Sequence, residues 1–192
     1  HTKATHANST MATDGDTLVA FFGSEGLYAY DLKKGTPLWK KDLGMLDSGF
    51  FMVPEAQWGF ASSPVIHKDR VILQVDVQKD SFLGAFALKD GRELWRTPRQ
   101  DVPTWSTPAV VTMNGRDQVI VNGWKHIGGY DLETGKEVWR MTGGGDIPVP
   151  TPIAAHGMVF ITNAHGKFAP IYAIKPTATG DITLKDGQTS NE

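Results

Sequence analysis

The stretch GYDLETGKEVW, Gly129 to Trp139, decides how the chain is read. Taken alone, its Asp-Leu-Glu-Thr-Gly run is either a polar ligand site beside an aromatic or a hairpin turn decorated with polar groups. Two gapless partners in the same chain choose between these. AYDLKKGTPLW, Ala29 to Trp39, and AFALKDGRELW, Ala85 to Trp95, also place a Gly four residues before a Trp. A feature that recurs once per unit has a structural job, because one ligand cannot touch every unit of a repeat array. Gly35, Gly91 and Gly135 supply the positive φ that a short hairpin turn requires. Asp31 and Asp131 are placed to accept bonds from backbone N–H groups two or three residues on, and Thr134 helps close its turn.

A second marker precedes each unit. SSPVI ends at Ile66, STPAV at Val110 and PTPIA at Ala154, so prolines 64, 108 and 152 step by 44 residues, as do Trp95 and Trp139. The first unit opens with NSTMATDGDTLVAFFGSEG, where Met11 stands at the proline position, and the step from Trp39 to Trp95 lengthens to 56. The excess falls in GMLDSGFFMVPEAQWGF, residues 44–60. The fourth unit carries an enlarged turn before Gly180 and has Leu184 where a Trp is expected.

Each unit holds four strand-sized pieces; in the second these are SPVI, RVILQVDV, LGAFALK and ELWRT. Such short alternating runs, bounded by Gly, Asp, Asn and Lys, argue for an all-β chain with no long helix. Four short antiparallel strands repeating every ~40–45 residues are the signature of a β-propeller blade. The expected organisation is one propeller domain over residues 1–192, with blades at 8–44, 61–98, 105–142 and 149–192 and the insertion at 44–60. Trp39, Trp95 and Trp139 then fill the wedge between neighbouring blades, where an aromatic buries ~150–250 Å². Trp58, Trp105 and Trp124 lie outside the repeat position.

The pattern Ala-x-Asp-x-x-Thr-Gly-x-x-x-Trp resembles the tryptophan-docking motif of the PQQ-like (quinoprotein-type) β-propellers. That family includes quinoprotein alcohol dehydrogenases and the periplasmic lipoprotein scaffold of the outer-membrane assembly machinery. Gly129–Trp139 departs from the motif only at Gly129, and Ala29–Trp39 only at Lys34. Ala85–Trp95 departs more, with Ala87 at the Asp position and Asp90 at the Thr position. The resemblance implies seven or eight blades, so about four blades here read as part of a larger propeller whose open edges promote self-association. It also implies a periplasmic or extracellular location.

Bulk properties narrow the function. A net charge of −2 and the lack of any Lys/Arg block argue against a nucleic-acid partner. No apolar run approaches the ~18–20 residues of a membrane span. The chain opens at His1 with neither an initiator Met nor a signal-like stretch, from which a segment upstream is expected. With no Cys there is no disulfide framework or thiolate zinc site, nor the adjacent-cysteine disulfide that many quinoprotein dehydrogenases of the resembled family carry.

PQQ with Ca²⁺ is therefore the alternative cofactor expectation, and no cofactor the preferred one. Glu55, Asp101 and Asp146 are the acids that could lie near the axis, but Ca²⁺ needs six to eight oxygens and no clustered set appears. The six histidines show no metal-ligand spacing.

The most individual feature is the insertion, which puts four aromatics and a Met into FFMVPEAQWGF, residues 50–60. Long loops on rigid scaffolds are preferred sites of function. Phe50, Phe51 and Trp58 are candidate binding residues, together with Trp105 in the corresponding connection of the next unit. The expected function is a non-catalytic scaffold binding a protein or small ligand at the propeller axis. A quinoprotein dehydrogenase, or a sensor module of a larger protein, is the alternative.

Overall fold

The computed structural model describes residues 8–50, 52–163, 165 and 169–191. Phe51, and His1 and His6 at the N-terminus, lie outside the described residues.

The first sheet comprises β1 (Ala12–Thr13), β2 (Thr17–Phe21), β3 (Leu27–Asp31) and β4 (Pro37–Lys41). A two-stranded ribbon follows, β5 (Gly49–Phe50) and β6 (Val53–Gln57). The second sheet comprises β7 (Val65–His67), β8 (Arg70–Val75), β9 (Phe82–Ala87) and β10 (Glu93–Pro98). The third comprises β11 (Ala109–Met113), β12 (Arg116–Val121), β13 (Ile127–Asp131) and β14 (Glu137–Met141). The fourth has three strands, β15 (Ile153–Ala155), β16 (Met158–Thr162) and β17 (Ile171–Ile174). Within each sheet consecutive strands pair antiparallel, and the helical content of the described residues is one 3-10 turn, Gly23–Glu25.

Side chains alternate faces along a strand, so each sheet can pack on both sides. Val71, Leu73 and Val75 of β8 meet Val19, Phe21 and Leu27 of the first sheet. Ile72 of the same strand faces the other way, onto Val119, Val121 and Leu132 of the third sheet. Ile120 and Ile127 then pack against Val159, Ile161 and Ile174 of the fourth. Near-continuous apolar strands buried on both faces thus weld the sheets into one stack.

The repeated tryptophans close the outer side of these layers. Trp39 Nε1 donates to the Leu88 carbonyl of the next sheet at 2.8 Å, and Trp95 Nε1 donates to the Leu132 carbonyl at 2.9 Å. Each indole lies on the turn glycine of that sheet. A Cβ on Gly91 would stand 2.6 Å from Trp39 Cε3, and Gly135 is covered by Trp95 in the same way. Both glycines have positive φ, +70° and +69°, so the turn and the indole seat make the same demand on the residue. Asp31 Oδ1 accepts the N–H groups of Lys33 and Lys34, and Asp131 Oδ1 accepts the backbone N–H and the Oγ1 hydroxyl of Thr134.

The second marker stitches the first strands together. Thr10 N donates to Ser63 Oγ at 2.8 Å, and Ser63 N donates to Thr107 Oγ1 at 3.0 Å, so one hydroxyl per unit links consecutive sheets.

The fourth unit departs from the expected four strands. Its last segment, β18 (Gly180–Asp181), leaves its own sheet and pairs in parallel with β14, Trp139 opposite Gly180 and Arg140 opposite Asp181. Lys175 stands where Asp31 and Asp131 close the tight turn, and Pro176 follows it without an N–H to offer. Trp139, fully buried, bonds Gln118 Oε1 of its own sheet at 3.1 Å.

Candidate functional site

The non-repeating residues collect at one end of the stack, where β8 and β12 turn into the next strand and β4, β10 and β14 run on to the next sheet. The insertion folds there as the β5–β6 ribbon. It is anchored to the second sheet by Gln78, whose N donates to the Asp47 carbonyl and whose Nε2 donates to the Gly49 carbonyl. Asp47 Oδ1 in turn accepts from Gln57 Nε2 at 2.7 Å.

Beneath the ribbon lies an aromatic base. The rings of Phe50 and Trp58 stack with centroids 5.0 Å apart, and Trp58 meets Trp105 at 5.3 Å. Trp105 Nε1 donates to the Gly59 carbonyl, and its backbone N–H donates to the Pro148 carbonyl, which ties the base to the fourth unit. Phe60 leaves the ribbon for the core, edge-on to Phe21 at 4.7 Å. Trp105 is buried, and Phe50 and Trp58 are half-buried. The apolar side chains presented to solvent are Met45, 92% exposed, Met52, 66%, and Val53, 49%. A cavity of about 490 Å³ opens beside Met45 between the 3-10 turn and the insertion, bounded also by Phe22, Leu46, Gln57 and Phe60.

Below the aromatics is a buried charge cluster. Arg99 Nε donates to Asp76 Oδ1 at 2.7 Å and Nη2 to Asp76 Oδ2 at 3.1 Å. Nη2 also reaches Asp101 Oδ2 and the His126 carbonyl, and Nη1 donates to Tyr130 Oη. Asp76 Oδ2 accepts further bonds from Gln74 Nε2 and Thr104 Oγ1, and Asp101 accepts the N–H groups of Val102, Lys125 and His126. Burial opposes the Arg99 charge, yet the Asp76 carboxylate, with Tyr130 and Asp101, holds its pKa above the ordinary value. Burial pushes the Asp101 carboxyl up to about 6, with the Asp76 charge adding to the shift and Arg99 opposing it. His126, whose Nε2 lies 2.8 Å from Glu137 Oε2, is lowered by burial and by the Arg99 charge.

The three acids singled out in the sequence do not converge. Glu55 is exposed on β6, Asp101 is locked to Arg99, and Asp146 pairs with His165 Nδ1 at 2.8 Å. Among the described residues no group of three His, Cys, Asp or Glu is arranged to hold a metal. The residues present do not fit a quinone with Ca²⁺. The two adjacent buried carboxylates, Asp76 and Asp101, are already taken by the Arg99 guanidinium and offer no free oxygens to a Ca²⁺ ion. Sequence reasoning missed Arg99, Asp76 and Tyr130. The signal for Arg99 was present: four residues after the repeat Trp it stands where the neighbouring units have Leu43 and Gly143.

Four-stranded antiparallel sheets stacked face to face and closed by docked tryptophans define a PQQ-like β-propeller. The chain belongs to the outer membrane protein assembly factor BamB family, whose model it matches over residues 2–190. BamB of Burkholderia pseudomallei is 29% identical over 136 residues, covering 70% of this chain and 32% of that protein. The crystal structure of BamB from Moraxella catarrhalis superposes with a TM-score of 0.58 at 19% identity, covering 86% of this chain and 47% of that one. The quinohemoprotein alcohol dehydrogenase of Comamonas testosteroni superposes with a TM-score of 0.53 at 19% identity, covering 72% and 21%. The two structural likenesses establish a shared fold. The chain spans about a third of the curated relative and about half of the Moraxella structure.

Proposed function

We propose that the chain acts as a rigid, non-catalytic scaffold of the bacterial envelope and that its partners are proteins. The observation that carries this reading is the insertion: exposed Met45, Met52 and Val53 rise from a base of Phe50, Trp58 and Trp105. Exposed apolar side chains grouped on an ordered loop, with polar Asp47, Glu55 and Gln57 beside them, are the composition of a protein contact surface. The base restricts the ribbon before any partner arrives, which lowers the ordering cost of binding. The name of the Burkholderia relative, an outer membrane protein assembly factor, supports a place in outer-membrane protein assembly and hence in the periplasm.

The quinoprotein alternative fares worse. It needs free carboxylates and space around a quinone, and here Asp76 and Asp101 are spent on Arg99.

Photo-crosslinking in the envelope tests the reading. A photo-reactive residue at Val53 is expected to capture an outer-membrane or periplasmic protein, and replacing Phe50 and Trp58 with Ala should reduce that capture at least tenfold while the fold survives. An intact ribbon that captures nothing would count against a protein partner at this surface.

A further inference from the structure

Residues 42–67 hold Asp42, Asp47 and Glu55 and no Lys or Arg, in a protein whose net charge is only −2. The insertion is therefore acidic as well as apolar. The two characters meet in the cavity of about 490 Å³ between the 3-10 turn and the insertion, where Phe22, Leu46 and Phe60 give apolar walls and Glu25 and Asp47 stand among the lining residues.

The two segments that bring the acids are fixed to each other. Ser24 Oγ, one residue before Glu25, accepts the N–H of Leu46, one residue before Asp47, at 2.8 Å. A Cβ on Gly23 would stand 3.1 Å from Phe60 Cβ, so the turn sits close on the cavity's aromatic wall. Asp47 is oriented by Gly49 N at 3.1 Å and Gln57 Nε2 at 2.7 Å, both at Oδ1, which leaves Oδ2 for another donor. Among the described residues neither Glu25 nor Asp47 forms an ion pair. Lys40, on whose charge Glu25 acts, lies over the Tyr28 ring at 5.0 Å instead.

We propose that this cavity seats an arginine side chain of the protein partner, with its aliphatic stem against Phe22, Leu46 and Phe60 and its guanidinium between Glu25 and Asp47. An acidic insert would meet like charge, and a wholly apolar one would strip water from two carboxylates without replacing it. A basic side chain meets both demands, because its stem is apolar and its head is charged. Arginine suits the site better than lysine: its planar head bonds two acceptors at once and stacks on aromatic rings. The inference rests on the protein-partner reading above and names the chemistry the partner brings to that surface.

The test titrates the full-length protein, labelled with nitrogen-15 glycine, with N-acetyl-arginine methylamide and with its uncharged analogue N-acetyl-citrulline methylamide. The arginine probe is expected to give saturable shifts at Gly23 and Gly59, which line the cavity, and none at Gly115 in the β11–β12 turn. The citrulline probe should bind about fivefold more weakly, and Glu25→Gln should weaken the arginine probe by a similar factor. Equal binding of the two probes, shifts confined to other glycines, or no saturable shift would overturn the proposal. So would tighter binding of spermidine than of the arginine probe, which would make a free polyamine the occupant, or a dimer abolished by Glu25→Gln, which would place a second copy there. If the arginine probe fails while photo-crosslinking at Val53 still captures a protein, this inference falls alone. Absence of capture at Val53 takes the partner reading and this inference with it.

Discussion

Arg99 and Asp76 face each other through two hydrogen bonds with both side chains fully shielded from solvent, and they follow two non-adjacent strands of one sheet, β10 and β8, 23 positions apart. Asp76 ends β8's apolar run and Arg99 follows β10, so the pair ties the two strand ends together at the site end of the stack. Tyr130, from the third sheet, extends the same cluster across the interface.

Removing one member of a buried pair strands the others. Arg99→Met leaves Asp76 and Asp101 as adjacent buried carboxylates and should cost about 3–5 kcal/mol of stability. The combined Asp76→Leu, Arg99→Met variant should lose clearly less than the two single losses together. Urea unfolding of the three variants checks this, and strict additivity would show that the pair is not coupled.

Two groups in the cluster set opposite pH dependences. Asp101 binds its proton more tightly folded, at about 6, than unfolded, at 3.8, so its contribution to stability is present below pH 4 and lost as pH rises from about 4 to 6. His126 is lowered from 6.5, so its contribution is present above that value and lost as pH falls below it. Asp101→Asn removes only the first effect. Relative to the parent, its stability should climb between pH 4 and 6 by on the order of 2–3 kcal/mol, whatever the fixed offset from the altered hydrogen bonds. A flat difference across that range in denaturant titrations would show that Asp101 titrates normally.

The two kinds of turn glycine should respond differently to a methyl group. Gly35→Ala carries the strain of a positive φ, about 1 kcal/mol, because nothing stands near the added Cβ. Gly91→Ala carries that strain and also collides with the Trp39 ring, adding roughly 1–3 kcal/mol. Thermal unfolding of both variants of the 192-residue chain checks the order; equal losses would mean that the indole seat does not constrain the turn.

Within the aromatic base, burial predicts which ring holds the fold. Trp105, 8% exposed and bonded to Gly59, should cost about 3–5 kcal/mol on replacement by Ala. Trp58, only half-buried, should cost less than half of that. Denaturation midpoints at a common urea slope decide the matter.

The blade pattern was legible because its signals are local: a Gly four residues before a Trp, a proline every 44 residues, and alternating apolar strands. The fourth unit was less so. Its enlarged turn was visible, but the transfer of β18 to the neighbouring sheet depends on which edge is open in three dimensions. The charge cluster was hidden for a similar reason. A lone Arg99 or Asp76 reads as a solvated loop residue, and only the meeting of the ends of β8 and β10 with β13 makes both buried. The exposed tip of the insertion was readable as apolar, whereas the contact of Trp58 with both Phe50 and Trp105 required the folded ribbon.

Calorimetric and absorbance titration of the folded chain with PQQ in the presence of Ca²⁺, coupled to a dye-linked alcohol oxidation assay, bears most directly on the claim that this propeller is a non-catalytic scaffold. The account predicts no saturable binding and no dye reduction above background. Saturable micromolar binding accompanied by alcohol-dependent dye reduction would contradict it.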